Sequence, residues 1–186
     1  DYWQDNSQNN NGGNDNNYRG VGDVINAYTI NGLPCCVPSL TWANENLYVI
    51  TFFESTVWKY DPQTASFETF LTPSEHGVGE IWGITYDGQY IWITNWAGNV
   101  YGYDLSGNQI GSFSSPLSNY QYITWDDNYF IIHDLYQNDL IYRIGYDGSI
   151  IESFYNSNPP ENLYDIVWVA DHAGGQLWAW GSDDGD

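Results

Sequence analysis

The side chains able to do chemistry in this 186-residue sequence are mostly acids, amides and aromatic rings. Lys59, Arg19 and Arg143 are the only three lysines or arginines beside 24 acidic residues, and the formal net charge is −21. So few cations exclude nucleic-acid binding through phosphates and argue against an anionic membrane surface. The sequence indicates no cofactor with certainty. Ca²⁺ is the candidate, because it is bound by carboxylate and amide oxygens. A solvated acidic surface that keeps the protein soluble explains the same composition.

Common catalytic motifs do not occur in the sequence. The histidines His76, His133 and His172 lie outside any HExxH pattern, and there is no Walker loop, GxGxxG or GxSxG. We therefore predict no catalytic residues and a protein that is not an enzyme. An enzyme of the lactonase or cyclotransferase kind, using Glu80, Asp165 or His133, is the less favoured alternative. Its sign would be a raised carboxylate pKa in a dry channel.

An internal repeat dictates which elements must position these residues. Four short apolar runs with the same pattern begin at Ser39, Gly83, Tyr122 and Asp165 ("SLTW", "GITY", "YITW", "DIVW"), at spacings of 44, 39 and 43 residues. In the first three units a second, a third and a fourth alternating run follow, separated by turns such as "YDGQ" and "LSGN". Four short strands at a period near forty residues are typical of one blade of a β-propeller.

The two ends of the chain complement each other. The fourth unit stops after two strands, while "NYRGVGDVINAYTI" at 17–30 resembles the third and fourth strands of the preceding unit. We therefore predict an all-β fold, a four-bladed β-propeller with a split closing blade. The first strands are expected innermost and buried. The predicted segments are an Asn/Asp-rich arm (1–16), strands three and four of the split blade (17–30), blade 1 (31–73), blade 2 (74–115), blade 3 (116–158) and strands one and two of the split blade (159–186), the propeller spanning 17–186.

Closure of the split blade could occur within one chain or between chains. Strand addition to a neighbouring subunit would give closed rings or open filaments. The arm carries an aromatic tip and is too polar to order itself, so docking on a neighbour is a second route to assembly. The predicted assembly residues are Tyr2, Trp3, Tyr18, Val24, Ile25, Tyr28, Cys35 and Cys36.

The adjacent cysteines Cys35 and Cys36 admit three states. They could form a strained vicinal disulfide, bond to a neighbouring subunit, or remain reduced and buried.

One rim of the central channel is predicted to be acidic with interleaved aromatic rings. Loops between blades and loops between second and third strands share this rim, where oxygens could hold a cation and rings could stack on sugars. The predicted ligand residues of this channel face are Glu80, Trp96, Asn119, His133, Asp134, Tyr136 and Asp165, with Asp183 and Asp184 as weaker metal ligands. The recurring tryptophans inside the blades, Trp42, Trp92 and Trp178 among them, are predicted instead to pack between blades.

The unit "GITYDGQYIWITNWAGNVYGYDLSGNQIGSF" resembles repeats of secreted propellers of the glutamine-cyclotransferase-like and YVTN-like kind. The resemblance covers most of residues 17–186 at the level of the blade. It implies the propeller fold, while the cyclotransferases use more blades than this chain can make.

The leading functional hypothesis is a secreted, non-enzymatic structural or adhesive subunit. It would assemble through its arm or by strand exchange into an extracellular filament or surface layer, as a homo-oligomer. The alternative is an extracellular glycan- or Ca²⁺-binding module that uses the channel face. The sequence has no methionine, as expected after removal of a secretory signal, and no long apolar segment. Both features favour an extracellular or cell-surface protein without membrane insertion.

Overall fold

The computed structural model describes residues 37–51, 54–72, 76–115, 117, 121–134, 140–155, 162–170 and 177–182. Within these ranges, fourteen strands form three four-stranded antiparallel sheets and one antiparallel strand pair. The predicted all-β, propeller-like repeat is confirmed by this architecture. The segment 17–30, and with it the predicted closure of the split blade, lies outside the described residues.

Each sheet is a meander whose strands pair in chain order. Blade 1 comprises β1 (Leu40–Ala43), β2 (Asn46–Thr51), β3 (Thr56–Asp61) and β4 (Ser66–Leu71). Blade 2 comprises β5 (Ile81–Tyr86), β6 (Ile91–Asn95), β7 (Asn99–Tyr103) and β8 (Gln109–Ser114). Blade 3 comprises β9 (Gln121–Trp125), β10 (Phe130–Asp134), β11 (Leu140–Ile144) and β12 (Ile150–Tyr155). The two strands of blade 4 are β13 (Asn162–Trp168) and β14 (Leu177–Ser182).

The turns between first and second strands follow from local sequence. In blade 1, Asn44 and Glu45 both have positive φ (46° and 64°), as a two-residue hairpin turn requires. In blade 2, Asp87 Oδ1 accepts the backbone N–H groups of Gln89 and Tyr90 at 2.8 and 2.7 Å. Asp126 caps the corresponding turn of blade 3 in the same way. These side chains satisfy backbone donors that a tight turn leaves unpaired.

The hydrophobic core lies between blades rather than inside one sheet. One cluster joins blades 1 and 2 and includes Ile50 and Ile93. A second joins blades 2 and 3 around Trp92 and Phe130. A third packs Ile166 of blade 4 against blade 3. Each blade therefore depends on its neighbour for burial, which is why a single unit could not fold alone.

The first strands form the innermost layer. The strand β5 packs against both β1 and β9, and β9 packs against β13. Ile84, Ile123 and Ile166, at equivalent positions of three blades, are buried as expected, but the equivalent Leu40 is 54% exposed. It lies on the face of blade 1 that points away from the blade 1–blade 2 core.

Trp92 packs between blades as predicted, whereas Trp42 and Trp178 are 55% and 42% exposed. Trp42 shares with Leu40 the face of blade 1 that is turned away from blade 2. The predicted burial of Leu40 and of Trp42 is therefore wrong. Among the described residues, blade 4 contributes two strands, β13 and β14, to its interfaces, whereas blades 1, 2 and 3 have four strands each.

Polar links reinforce the interface between blades 2 and 3. Trp92 Nε1 and the Tyr146 hydroxyl both donate to Asp87 Oδ2, at 2.7 and 2.9 Å. The Tyr146 ring also contacts the rings of Trp92, Trp125 and Phe130. Burial and the hydrogen bond to Asp87 raise the pKa of the Tyr146 phenol. The turn after β11 is thereby fastened to the turn after β5.

Candidate functional site

The four first strands and β14 line a central cavity of about 590 Å³. This volume lies within the range of pockets that hold small organic ligands. The described residues make its walls mostly aliphatic and contribute one carboxyl group, three hydroxyl groups and one indole ring. The lining residues are Leu40, Thr41, Ile84, Thr85, Ile123, Thr124, Asp165, Ile166, Val167, Trp178 and Ala179.

Asp165 is the ionisable residue of this lining. It begins the fourth copy of the repeated first-strand motif, and a shift in pairing between Leu163 and Asp165 interrupts the β13–β14 ladder beside it. Bulges of this kind redirect side chains and are frequent next to functional sites. Burial among apolar residues raises the pKa of the Asp165 carboxyl to about 7, against the smaller lowering effects of hydrogen bonds from Ile166 N–H and Ser39.

Ser39 brings three blades together at this carboxyl. The Ile84 N–H donates to Ser39 Oγ at 3.4 Å, and Ser39 Oγ lies 3.5 Å from Asp165 Oδ1, in donating geometry. Asp165 Oδ1 also accepts the Ile166 N–H at 2.9 Å. Among the residues that the structure describes, both hydrogen bonds to the Asp165 carboxyl end on Oδ1.

Threonines recur at one position of the first strand in three blades. Thr41, Thr85 and Thr124 line the cavity, and Val167 takes the same place in blade 4. Thr124 Oγ1 already accepts the Trp168 N–H at 3.0 Å, which links blade 3 to blade 4. The threonines therefore supply weak polar contacts around the wall, while the carboxyl is confined to one side of it.

Of the predicted channel-face residues whose side chains the structure describes, Asp165 is the one that lines the cavity. Glu80 and Trp96 are brought together elsewhere, because the Trp96 N–H donates to the Glu80 carbonyl at 2.9 Å. Both residues are exposed. They form an exposed pair beside β5 and β6 and are not part of the cavity wall.

His133 lies inside blade 3 and is fully buried, paired with Tyr122 in the β9–β10 ladder. Asp134 ends β10 opposite Gln121. His133 does not line the cavity. The three groups of the enzyme alternative, Glu80, Asp165 and His133, therefore occupy three different environments.

Several predicted positions lie outside the described residues. They are Asn119, Tyr136, Asp183 and Asp184 of the channel face, and Tyr2, Trp3, Tyr18, Val24, Ile25, Tyr28, Cys35 and Cys36 of the assembly set. Across the described ranges, no group of three or more His, Cys, Asp or Glu side chains is placed to hold a metal ion. The described part of the chain also contains no helix with the length and apolarity to cross a bilayer.

Sequence reasoning missed Ser39, the threonines and Trp178 as parts of a site. The repeat alignment carried a signal for Ser39, since it occupies the same position as Asp165 in the first-strand motif.

Comparison with known proteins supports the fold and leaves the function open. No family model and no curated protein sequence matches this chain. The glutaminyl cyclase of Myxococcus xanthus superposes with a TM-score of 0.59 at 13% identity, over 77% of this chain and 67% of that chain. A chain of the nidogen/laminin complex gives a TM-score of 0.58 at 16% identity, over 72% of this chain and 53% of that one. BamB from Moraxella catarrhalis gives 0.51 at 15% identity, over 77% and 40%. At such identities the likeness concerns the propeller fold alone.

Proposed function

We propose that this propeller is a binding module that holds a small, largely apolar ligand in its central cavity, with Asp165 as the polar anchor. The carrying observation is a carboxyl group on the wall of an otherwise apolar cavity of about 590 Å³. None of the ion pairs among the described residues involves Asp165. A buried ionisable group without a charged partner destabilises a fold, so its presence in a cavity is more easily explained by a ligand than by packing. The proposal keeps the channel-face binding site predicted from the sequence and replaces the glycan or Ca²⁺ with a largely apolar ligand.

Binding is favoured over catalysis by the inventory of the cavity. Acid–base chemistry on a substrate ordinarily uses two groups with different pKa values. Among the described residues that line the cavity, Asp165 is the one group that titrates near neutral pH. The raised pKa of this carboxyl is nevertheless the feature expected of the enzyme alternative, so an activity screen belongs beside the binding test.

The binding test uses saturation-transfer NMR with a panel of small alcohols, amines and carboxylic acids of five to eight carbons. Val167→Trp enlarges a side chain of the cavity wall that is 51% exposed, so it should fill the cavity without overpacking the core. Ile150→Trp is the matched control, because Ile150 is 48% exposed on the outer strand β12 and does not line the cavity. Signals that disappear in Val167→Trp and persist in Ile150→Trp support the proposal. A panel without binders, or signals indifferent to Val167→Trp, would reject it.

A second candidate function is self-assembly into an extracellular filament or surface layer. The favouring observation is that β14 pairs with β13 alone among the described strands, which leaves one edge for an added strand. We propose that 17–30 supplies the missing strands. The nine residues between this segment and β1 match the nine between β4 and β5, a length that suits closure within one chain. Assembly between copies would then depend on the arm, 1–16.

Light scattering of the full chain and of chains lacking 1–16 or 1–30 separates these routes. A large particle that dissociates when 1–16 is removed supports assembly through the arm. Dissociation that needs removal of 1–30 supports strand exchange between copies. A monomer near the 21.2 kDa chain mass in the full-length protein would reject self-assembly.

A further inference from the structure

We propose that the ligand of the central cavity is an organic ammonium ion: an apolar body of roughly the size of a six-carbon chain or a phenyl ring that carries one protonated amine. The inference rests on the proposed binding function and specifies its ligand class. It requires the amine to meet the Asp165 carboxylate while the body lies against the aliphatic wall.

The shape of the charge distribution in the cavity points to a single positive group. Asp165 contributes the negative charge, and the other lining residues from β1, β5, β9 and β14 carry no ionisable group. On β9 and β10, the titratable side chains of Tyr122 and His133 are buried and do not line the cavity. A ligand that brings a cation to Asp165 favours the ionised carboxylate, because an opposite charge within a few ångströms stabilises it.

The described lysine and arginine side chains form ion pairs away from the cavity. Lys59 pairs with Glu68 on the outer half of blade 1, and Arg143 pairs with Asp126 and Glu152 in blade 3. Neither lines the cavity. With a net charge of −21, the protein also attracts cations from solution.

An inorganic dication fits these walls less well than an organic one. Ca²⁺ takes six to eight oxygen ligands and Mg²⁺ an octahedral set. The described lining offers one carboxyl group and the hydroxyls of Thr41, Thr85 and Thr124, of which Thr124 Oγ1 already accepts a backbone N–H. The remaining wall is aliphatic or aromatic, which an organic ligand covers and a hydrated metal ion does not.

Trp178 adds a second contact for a cation. It lies opposite Val167 in the β13–β14 ladder, so Asp165, Val167 and Trp178 share one face of the strand pair. Its side chain is 42% exposed and lines the cavity. Tryptophan is the strongest of the aromatic partners for an ammonium group.

The test compares hexylamine, 1-hexanol and hexanoate, which share a six-carbon body, by calorimetry at pH 7.5. We expect hexylammonium to bind at least ten times more tightly than hexanol, and hexanoate to bind most weakly. Asp165→Asn should abolish the preference for the amine, so that hexylamine and hexanol bind with similar affinities. Asp127→Asn removes the same charge at an exposed position with φ of 73°, which asparagine tolerates, and should leave all three affinities unchanged.

A proton measurement keeps the proposal testable if Asp165→Asn fails to fold. Hexylammonium needs the ionised carboxylate, so its binding to the wild-type chain at pH 6.5 should release a fraction of a proton, seen as a binding heat that depends on the buffer. Its affinity should fall as the pH drops from 8 to 6. Hexanol should show neither effect.

The outcomes separate this inference from the proposed function. Hexanol and hexylamine binding equally well in the cavity would overturn the ammonium proposal and leave the binding module intact. An equal loss of amine binding in Asp127→Asn and Asp165→Asn would reduce the preference to general attraction, and would also overturn it. No binding of any probe would reject both proposals.

Discussion

Ser39 Oγ lies 3.5 Å from Asp165 Oδ1, although the two residues are 126 positions apart. This contact joins blade 1 to blade 4, and the bond from Ile84 N–H to Ser39 Oγ extends it to blade 2. The two residues begin equivalent strands of the repeat, so the inner ring meets itself at the carboxyl of the candidate site. The contact between blades and the proposed ligand anchor therefore share the Asp165 carboxyl.

Replacement of Asp165 by asparagine should remove a pH-dependent destabilisation. The folded state keeps its proton up to a pKa of about 7, whereas the unfolded chain releases it near 3.8. Raising the pH through this window therefore lowers the free energy of unfolding, by at most about 4 kcal/mol for a shift of roughly three pH units. Asp165→Asn should match the wild type near pH 4 and exceed it at pH 8.

Urea denaturation at pH 4, 5.5, 7 and 8 measures this difference. Subtracting the free energies of unfolding of the two proteins cancels the contributions of the other acids. A difference that stays constant with pH would show that Asp165 titrates normally in the folded protein.

Replacement of Gly83 by alanine should destabilise the packing of blade 2 on blade 3. An added Cβ would lie 2.7 Å from the Gln121 carbonyl oxygen and 2.8 Å from Thr94 Oγ1. Relief requires the inner strands to separate, so we expect a loss of about 1–3 kcal/mol in the free energy of unfolding. Gly111→Ala is the control, since nothing lies within 4 Å of its added Cβ. Equal stability of the two variants in chemical denaturation would contradict the close contact.

Arg143 should matter through its buried partner and little through its exposed one. Its Nε lies 2.6 Å from Asp126 Oδ2, whose side chain is 3% exposed, and it also pairs with Glu152, which is 50% exposed. Arg143→Met leaves the Asp126 carboxylate buried without its countercharge, at an expected loss of about 3 kcal/mol. Glu152→Gln should change stability by less than about 1 kcal/mol. Thermal and urea unfolding of both variants would contradict this account if Glu152→Gln had the larger effect.

Removal of the Tyr146 hydroxyl should loosen the link between the turns of blades 2 and 3. Tyr146→Phe keeps the ring contacts and deletes the 2.9 Å hydrogen bond to Asp87, for an expected loss of about 0.5–1.5 kcal/mol. Tyr155→Phe, at a ring that is 76% exposed, is the control for loss of a tyrosine hydroxyl. Amide exchange of Gln89 and Tyr90, which bond to Asp87, should quicken in Tyr146→Phe. Exchange unchanged from the wild type would show that the link does not stabilise the turn.

The repeat in the sequence predicted the blade architecture, because period-two alternation and Gly- or Asp-containing turns are local properties of the chain. The runs beginning at Gly83 and Tyr122 could be identified as inner strands from their mutual alignment alone. The inner position of Asp165 followed from the same alignment. Burial of Leu40 and Trp42 was predicted wrongly, since it depends on which strands cover one face of blade 1.

The site itself required the tertiary structure. Whether a carboxyl lies at a wet rim or in an apolar cavity depends on how closely four distant strands approach, and no local pattern encodes that distance. The sequence did not distinguish Asp165, Glu80 and His133 as candidates. In the folded chain Asp165 lines the cavity, Glu80 lies on the surface and His133 is buried within a sheet. The sequence alone determined the strands and their order around the ring. The tertiary structure decided the environment of each ionisable group, because desolvation and charge pairing are properties of the assembled surroundings.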